Sequence, residues 1–477
     1  IRSSRRKIMK SEIKVLKHDN GEIQRVQSVR FDDWSQLDFL CLKQNSFEEQ
    51  KKALQCFYDI YKLFLVPTCP WIFPQMIMFC VPEDMDISEY TEGTVENVSD
   101  EEERFFYDST HYGKVTDTLT IATILLQEGV QLKGKKPVFK NAMAEKLYKD
   151  LEARGCVRIV CGKFPKTKVI PVGTSVGYLS EVEKEAKLKA NATFFIMDPI
   201  DCATIYDQVG TPFGLCVKDG VVEFPPLFSR EALMVEEDGT CYISKKDVKE
   251  LMVEINDRTY VPGKNATIYT RPEKATTPDE KGLHVIIIGR RVVAVKRDGK
   301  VEIPASGFVM KVGKGANIEP GDEVIYHGLK DVKFGIQVGN SIIKNGVKTD
   351  RFLSRFYDIH KLQRVPFPPS LYPMDFTKAR AARMAIGADK EGKPVIFWVE
   401  GKGKLQYTPG EDSTGASLSE MADIAVELGL RNAINLDGGG SAQILLDNAR
   451  SLRISDRKKE DNSDAERLVP TGLIVRE

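Results

Sequence analysis

The residues best placed to do chemistry lie near the C-terminus, in AINLDGGGSAQILLD (433–447). An apolar run, Ala433, Ile434 and Leu436, enters Asp437, then Gly438, Gly439, Gly440 and Ser441. A hairpin needs one glycine or two. Glycine adopts φ > 0 and carries no side chain to hold a ligand away from the backbone. Successive amides in such a turn can converge on an anion. Asp437 would lie beside that nest, and Ser441 would add a hydroxyl. The plain reading of the same stretch is a flexible hairpin tip.

Three other places could supply partners. Arg383 heads the run ARMAIGADKEGKPVIFWVEGK (382–402), and a guanidinium suits a phosphate or carboxylate through two parallel hydrogen bonds. Glu466 and Arg467 fall in AERLV (465–469), near the last strand-like segment. Asn191 precedes two aromatics in NATFF (191–195). Taken singly, Arg383 is a surface ion-pair residue, Glu466 and Arg467 a surface pair, and Asn191 a capping residue at the edge of a core.

The elements that must carry these residues are legible in part. SLSEMADIAVELGL (417–430) opens with a capping box, Ser417 with Glu420. Leu418, Met421, Ile424, Ala425 and Leu428 follow at helical spacing, and Gly429 closes the helix. The next strand leads into Asp437. From about residue 156 the texture is strand-like, with VGYLSEVEKEAKLKA (176–190) predicted as one amphipathic helix. Asp219-Gly220, Asp298-Gly299 and Asn345-Gly346 each sit between β-rich runs and predict hairpins. These features predict an α+β domain of mainly antiparallel strands with packed helices over 156–477.

A separate mixed domain is expected over 1–150, without any motif that carries chemistry. Within it, 47–65 has apolar residues at helical spacing, 83–104 is an acidic linker, and 115–155 reads as helical up to Gly155. The apolar stretch 63–81 contains Pro67, Pro70 and Pro74, which would break a membrane-spanning helix, so it is expected to be buried loop and strand.

Composition narrows the function. The 477 residues carry 69 basic and 69 acidic side chains. That balance argues against nucleic acid as the main partner, because neutralising phosphates needs a basic excess. The nine cysteines have irregular spacing, which fits free thiols better than a disulfide framework. The five histidines form no metal-binding pairs, so no metal or other cofactor is expected. The chain opens on Ile1, not Met, and is on that ground expected to be a processed product or a fragment, its compartment left open.

Taken together, the order and content of these segments resemble the phosphodiester glycosidase family over about 156–477. The family's Asn-Gly-Gly-Phe-Phe is here Asn191-Ala192-Thr193-Phe194-Phe195, and its Arg-Thr-Ala-Ile-Gly is Arg383-Met384-Ala385-Ile386-Gly387. Its Asn-Leu-Asp-Gly-Gly-Gly-Ser spans Asn435 to Ser441, and its final Glu/Pro-Arg is Glu466-Arg467. EINDRTYVPGKNATIYTRP (254–272), VEIPASGFVMKVG (301–313) and IEPGDEV (318–324) are similar to further family passages. The departures are Ala192 and Thr193 for two glycines and Met384 for a threonine. Asn191-Ala192-Thr193 is also a glycosylation sequon.

The resemblance implies hydrolysis of a sugar joined through C1 to a phosphodiester. Such a reaction needs a carboxylate at the anomeric centre and cations or amides on the phosphate. On that reading Asp437 serves the sugar side, and Arg383 and the amides of Gly438, Gly439 and Gly440 hold the phosphate. Glu466 is the second carboxylate with Arg467 orienting it, and Asn191 and Ser441 position hydroxyls. The implied partner is a glycan or sugar-phosphodiester. The rival reading is a glycosidase-like domain without catalysis, serving as a structural or glycan-binding part of a larger assembly. A metal phosphodiesterase is the weaker enzyme alternative, for want of clustered ligands.

Overall fold

The computed structural model describes residues 9–42, 75–79, 126, 129–134, 136–154, 157–161, 176–196, 204–207, 210–227, 229–271, 274–349, 352, 380–403, 407–458 and 461–476. The strands that position the site are, in chain order, β1 (Lys10–Lys17), β2 (Ile23–Arg30), β3 (Asp38–Cys41), β4 (Leu188–Asn191), β5 (Ser341–Lys344), β6 (Val347–Lys348), β7 (Arg383–Asp389), β8 (Pro394–Val399), β9 (Leu430–Asn435), β10 (Ile444–Leu446), β11 (Ala449–Arg450) and β12 (Thr471–Val475). They make two antiparallel sheets. One has seven strands in the order β1-β2-β8-β7-β9-β5-β6, the other five in the order β11-β10-β4-β12-β3.

The seven-stranded sheet is covered on both faces, which explains why its strand β8 is apolar throughout, unlike the alternating pattern of a sheet with one wet face. Along β8, Val395, Phe397 and Val399 pack on helix α2 (Leu418–Glu427), while Ile396 and Trp398 enter the main core. β7 divides likewise, with Ala385 toward the helix and Met384, Ile386 and Ala388 toward the main core. This is the two-residue period of a strand read on both sides. The predicted capping box of α2 is present in both directions between Ser417 and Glu420. Leu418, Met421 and Ile424 are buried on its inner face, each contributing about 1.5–3 kcal/mol relative to exposure. Gly429 follows the helix with φ +73°, a value that favours glycine.

Between β4 and β5 the chain builds three more antiparallel sheets, of five, three and four strands, from Cys216–Lys218 to Val332–Ile336. A single hydrophobic cluster runs from Val29 and Trp34 through Phe213, Phe308 and Phe334 to Trp398 and Leu473. The molecule is thus mainly antiparallel β, with fewer helices than the α+β expectation supposed.

Several expectations are corrected. A domain boundary near 150 does not separate residues 10–41, because β1 and β2 belong to the seven-stranded sheet and β3 pairs with β12. Most of the chain between β3 and β4 lies outside the described residues. Its described elements are the pair Gln75–Phe79 with Val157–Cys161, the hairpin Val130–Lys133 with Lys136–Phe139, and helix α1 (Ala142–Ala153) capped by Asn141. Of the stretch 115–155 expected to be helical, Val130–Lys133 and Lys136–Phe139 are strands and α1 is helix, while 115–125 lie outside the described residues.

No helix forms over 176–190. The chain turns, with Glu183 at φ +42°, and enters β4. Pairing with β10 and β12 buries Leu188 and Ala190, and the sheet outweighs the local helical pattern. Asp219-Gly220 and Asn345-Gly346 turn hairpins, both residues at positive φ. Asp298-Gly299 does not. It ends the edge strand Arg291–Gly299, where the Asp298 carboxylate accepts from Gly282 N at 2.8 Å. The helix expected over 47–65, the linker over 83–104 and most of 63–81 lie outside the described residues; Gln75–Phe79, within the last, is a strand. No helix among the described residues is long and apolar enough to cross a membrane.

Candidate active site

The site lies where β9 leaves the seven-stranded sheet and the chain crosses into the five-stranded one as β10. β9 pairs with β7 in the register Ala385↔Asn435. Beyond the strand the ladder persists, with Leu436 N donating to Met384 O at 2.8 Å. Carrying that antiparallel register one residue further sets Asp437 opposite Arg383. Gly439 N then donates to Ala382 O at 2.7 Å, one residue out of step, so the chain bulges immediately after Asp437. From the other sheet, Asp437 N donates to Ala192 O at 3.0 Å and Asn191 Nδ2 donates to Asp437 O at 2.6 Å. Asp437 is thereby held from both sheets at once.

Each glycine of the turn has its own reason. A Cβ at Gly438 would stand 2.7 Å from Ala382 O. Gly439 faces open space but has φ +57°, where other residues are strained. A Cβ at Gly440 would stand 2.1 Å from Asp456 Oδ2 and 2.3 Å from Arg467 Nη2. The turn is therefore fitted onto a buried ion pair, and the flexible-tip reading does not describe it.

That pair is the contact the sequence did not reveal. Arg467 Nε donates to Asp456 Oδ2 at 2.9 Å, and Nη2 to Oδ1 at 3.2 Å. Asp456 is fully buried and Arg467 nearly so. Asp456 follows the irregular stretch after β11, and a lone acid between Ser455 and Arg457 gives no spacing signal.

Asp437 stays part-exposed, as do Gly438 and Gly439, so solvent reaches a carboxyl that the fold otherwise surrounds closely. Its pKa is pushed up to about 7, chiefly by burial. Ser441, the charge of Arg467 and the Gly438 amide oppose that rise and do not cancel it. The Ser441 hydroxyl makes no hydrogen bond of ordinary geometry among the described residues, although it is buried; it is near enough to favour the carboxylate without closing a bond to it.

The other expected site residues fall into two groups. Arg383 is at the site but buried, with Nε donating to Ala416 O at 2.9 Å, just ahead of α2. Asn191 is also there, but both ends of its amide serve the backbone: Oδ1 accepts from Gln443 N at 3.0 Å while Nδ2 holds Asp437 O. These two bonds clamp the crossover. The three glycine amides do not all face an anion, since that of Gly439 is bonded to Ala382 O.

Glu466 is not gathered with Asp437 by any contact among the described residues. Its Oε1 accepts from Ser180 N at 3.0 Å, its Oε2 from Ser180 Oγ at 2.5 Å, and Arg450 Nη2 lies 2.5 Å from Oε2. Glu466 and Arg467, neighbours in sequence, thus pair in different directions.

The family departures are absorbed by packing. Met384 points into the main core, on the opposite face of β7 from Ala385. Neither Ala192 nor Thr193 has positive φ, and the Thr193 hydroxyl meets that of Thr471 at 2.6 Å. The sequon at Asn191 is buried. Among the described residues no group of three or more His, Cys, Asp or Glu is arranged to hold a metal ion.

A family model described as phosphodiester glycosidase matches residues 200–476 of the chain. Among curated proteins, the N-acetylglucosamine-1-phosphodiester alpha-N-acetylglucosaminidases of Mus musculus and Homo sapiens are 33% and 34% identical to it over 102 residues, 21% of this chain. The matched stretch spans 18% of the length of those relatives. Similar solved structures include a hypothetical protein from Synechocystis, at 14% identity and TM-score 0.40, covering 98% of this chain and 62% of that one. Another is the zebrafish N-acetylglucosamine-1-phosphodiester alpha-N-acetylglucosaminidase catalytic domain, auto-inhibited by its pro-peptide, at 12% identity and TM-score 0.36, covering 100% and 85%.

Proposed function

The chain belongs to the phosphodiester glycosidase family, and from that premise we propose that it hydrolyses a sugar-1-phosphodiester at the C1–O bond, with Asp437 as the group at the reacting centre. Water adds to C1, the C1–O bond breaks with its electron pair going to oxygen, and a phosphate monoester leaves. Asp437 takes the proton from the attacking water. A phosphate monoester has its second pKa near 6, so at neutral pH the leaving group has little need of a proton donor. One carboxylate at the anomeric centre is therefore enough for the chemistry proposed, and Glu466, tied to Ser180 and Arg450, is not required as the proton carrier.

The observation that carries this reading is the state of Asp437. It follows a buried strand, opposite Arg383, keeps a path to solvent, and has its pKa pushed up to about 7 by burial. A base poised near the working pH is the most effective one, and a carboxylate so raised is a mark of functional sites. Arg383 supplies positive charge for the phosphate side, and the buried Ser441 hydroxyl is available to a substrate oxygen. The N-acetylglucosamine of the relatives' names is the first sugar to try.

The test is release of free sugar from a synthetic N-acetylglucosamine-1-phosphodiester, with Asp437→Asn as control. Turnover by the parent, lost by at least about a hundredfold in the variant, supports the proposal. Saturable binding of the glycan without turnover would favour instead the non-catalytic, glycan-binding reading.

A further inference from the structure

The Asp456–Arg467 pair has no role in the chemistry above, yet it is the surface onto which the glycine turn is moulded. Both partners are buried, their contact is two-pronged, and Gly440 has no room for a methyl group because their atoms occupy that space. Three residues upstream is Asp437. We propose that Asp456 is a positioning residue: it holds Arg467 beneath the turn and balances its charge, so that Arg467 steers Asp437 without fixing it as a permanent anion. This rests on the reading of Asp437 as the proton-accepting group.

The physical argument is one of compensated charge. An unbalanced guanidinium within a few ångströms of a carboxyl lowers its pKa by about 1–3 units. Arg467 does pull Asp437 toward the charged form, yet burial prevails. Asp456, bonded to both Nε and Nη2, is placed to limit that pull. Ser441 from the turn itself and Arg467 from the segment before β12 act on the Asp437 carboxyl; Arg383 stands opposite it on β7, and Asp456, from the stretch after β11, is bonded to Arg467. Among them the carboxylate of Asp456 is the acid that can offset Arg467. Arg467 thus acts on Asp437 from below the turn, as an alternative to the role of orienting Glu466 expected from sequence.

The experiment uses two readouts on the full chain. In the first, needing no substrate, the pH dependence of unfolding stability is compared between each background and the same background carrying Asp437→Asn; the difference isolates the Asp437 titration. In the second, the pH profile of kcat/KM is measured on the synthetic sugar-1-phosphodiester. Asp456→Asn is expected to move the Asp437 titration acid-ward by about one unit in both. An unmoved or alkaline-shifted titration overturns the proposal.

Should Asp456→Asn fail to fold with Arg467 left unpaired, the double variant Asp456→Asn/Arg467→Gln removes the stranded charge. There the titration is expected to move alkaline relative to the parent, because the favourable charge is gone, and no shift or an acid-ward one overturns the proposal. If the stability readout shifts as expected while no substrate is turned over, the charge-balancing effect of Asp456 on Asp437 stands and the catalytic reading falls.

Discussion

Replacing Asp437 by Asn should make the folded protein more stable above neutral pH, even as it removes the proposed base. The carboxyl has pKa 3.8 when unperturbed and about 7 in the fold, a rise of roughly three units, and each unit corresponds to about 1.36 kcal/mol. The sign follows from proton binding. Between these values the folded state holds a proton that the unfolded chain has released, so stability falls as pH rises. The cost is absent below the unfolded pKa and complete above about 7. Its ceiling is about 4 kcal/mol, and because Asp437 is part-exposed, solvent screening brings the expected figure to roughly 2 kcal/mol.

Asn reproduces the shape of the protonated acid and does not titrate. Urea unfolding of both proteins from pH 4 to pH 8 should therefore give near-equal stabilities at pH 4 and a widening advantage for the variant, levelling off above pH 7. A difference that is constant with pH, or a variant less stable at pH 8, would refute the reasoning that burial holds this carboxyl near neutrality.

The other expectations concern what surrounds it. In the parent, kcat/KM for a sugar-1-phosphodiester should rise with pH through about 7 and then level, since the base must be ionised; a profile flat from pH 5 to 9 would remove Asp437 from that role. Gly440→Ala should cost several kcal/mol, as overpacking against a buried ion pair does, whereas Gly439→Ala should cost only about 1–2 kcal/mol of backbone strain, because open space lies beside it. Thermal or denaturant unfolding separates the two, and equal costs would contradict the fitted turn. Asn191→Ala should destabilise by about 1–3 kcal/mol per buried group left unpaired, since it frees both Asp437 O and Gln443 N. A change below about 0.5 kcal/mol would show that the clamp is dispensable.

Local signals told the truth where the neighbours of a residue in space are also its neighbours in the chain. The capping box of Ser417 and Glu420, the end of α2 at Gly429 and the turns at Asp219-Gly220 and Asn345-Gly346 are of this kind. That the three glycines after Asp437 mark a special turn was likewise legible, because few turns have use for three in succession. The stretch 176–190 shows the limit: its spacing suits a helix, yet β4 is taken by the partners on either side, β10 and β12, which lie more than 250 residues away.

By itself, then, the sequence determined the family, the apolar strand entering Asp437, and the set of polar residues from which a site could be drawn. Tertiary structure decided which of them meet. Glu466 and Arg467 are covalent neighbours, yet one turns to Ser180 and Arg450 and the other to Asp456. The protonation of Asp437 was decided there too, since a pKa depends on how much water and charge surround a group. Those surroundings come from β4, β7 and the stretch around Asp456, brought together only when the two sheets close on the crossover between them.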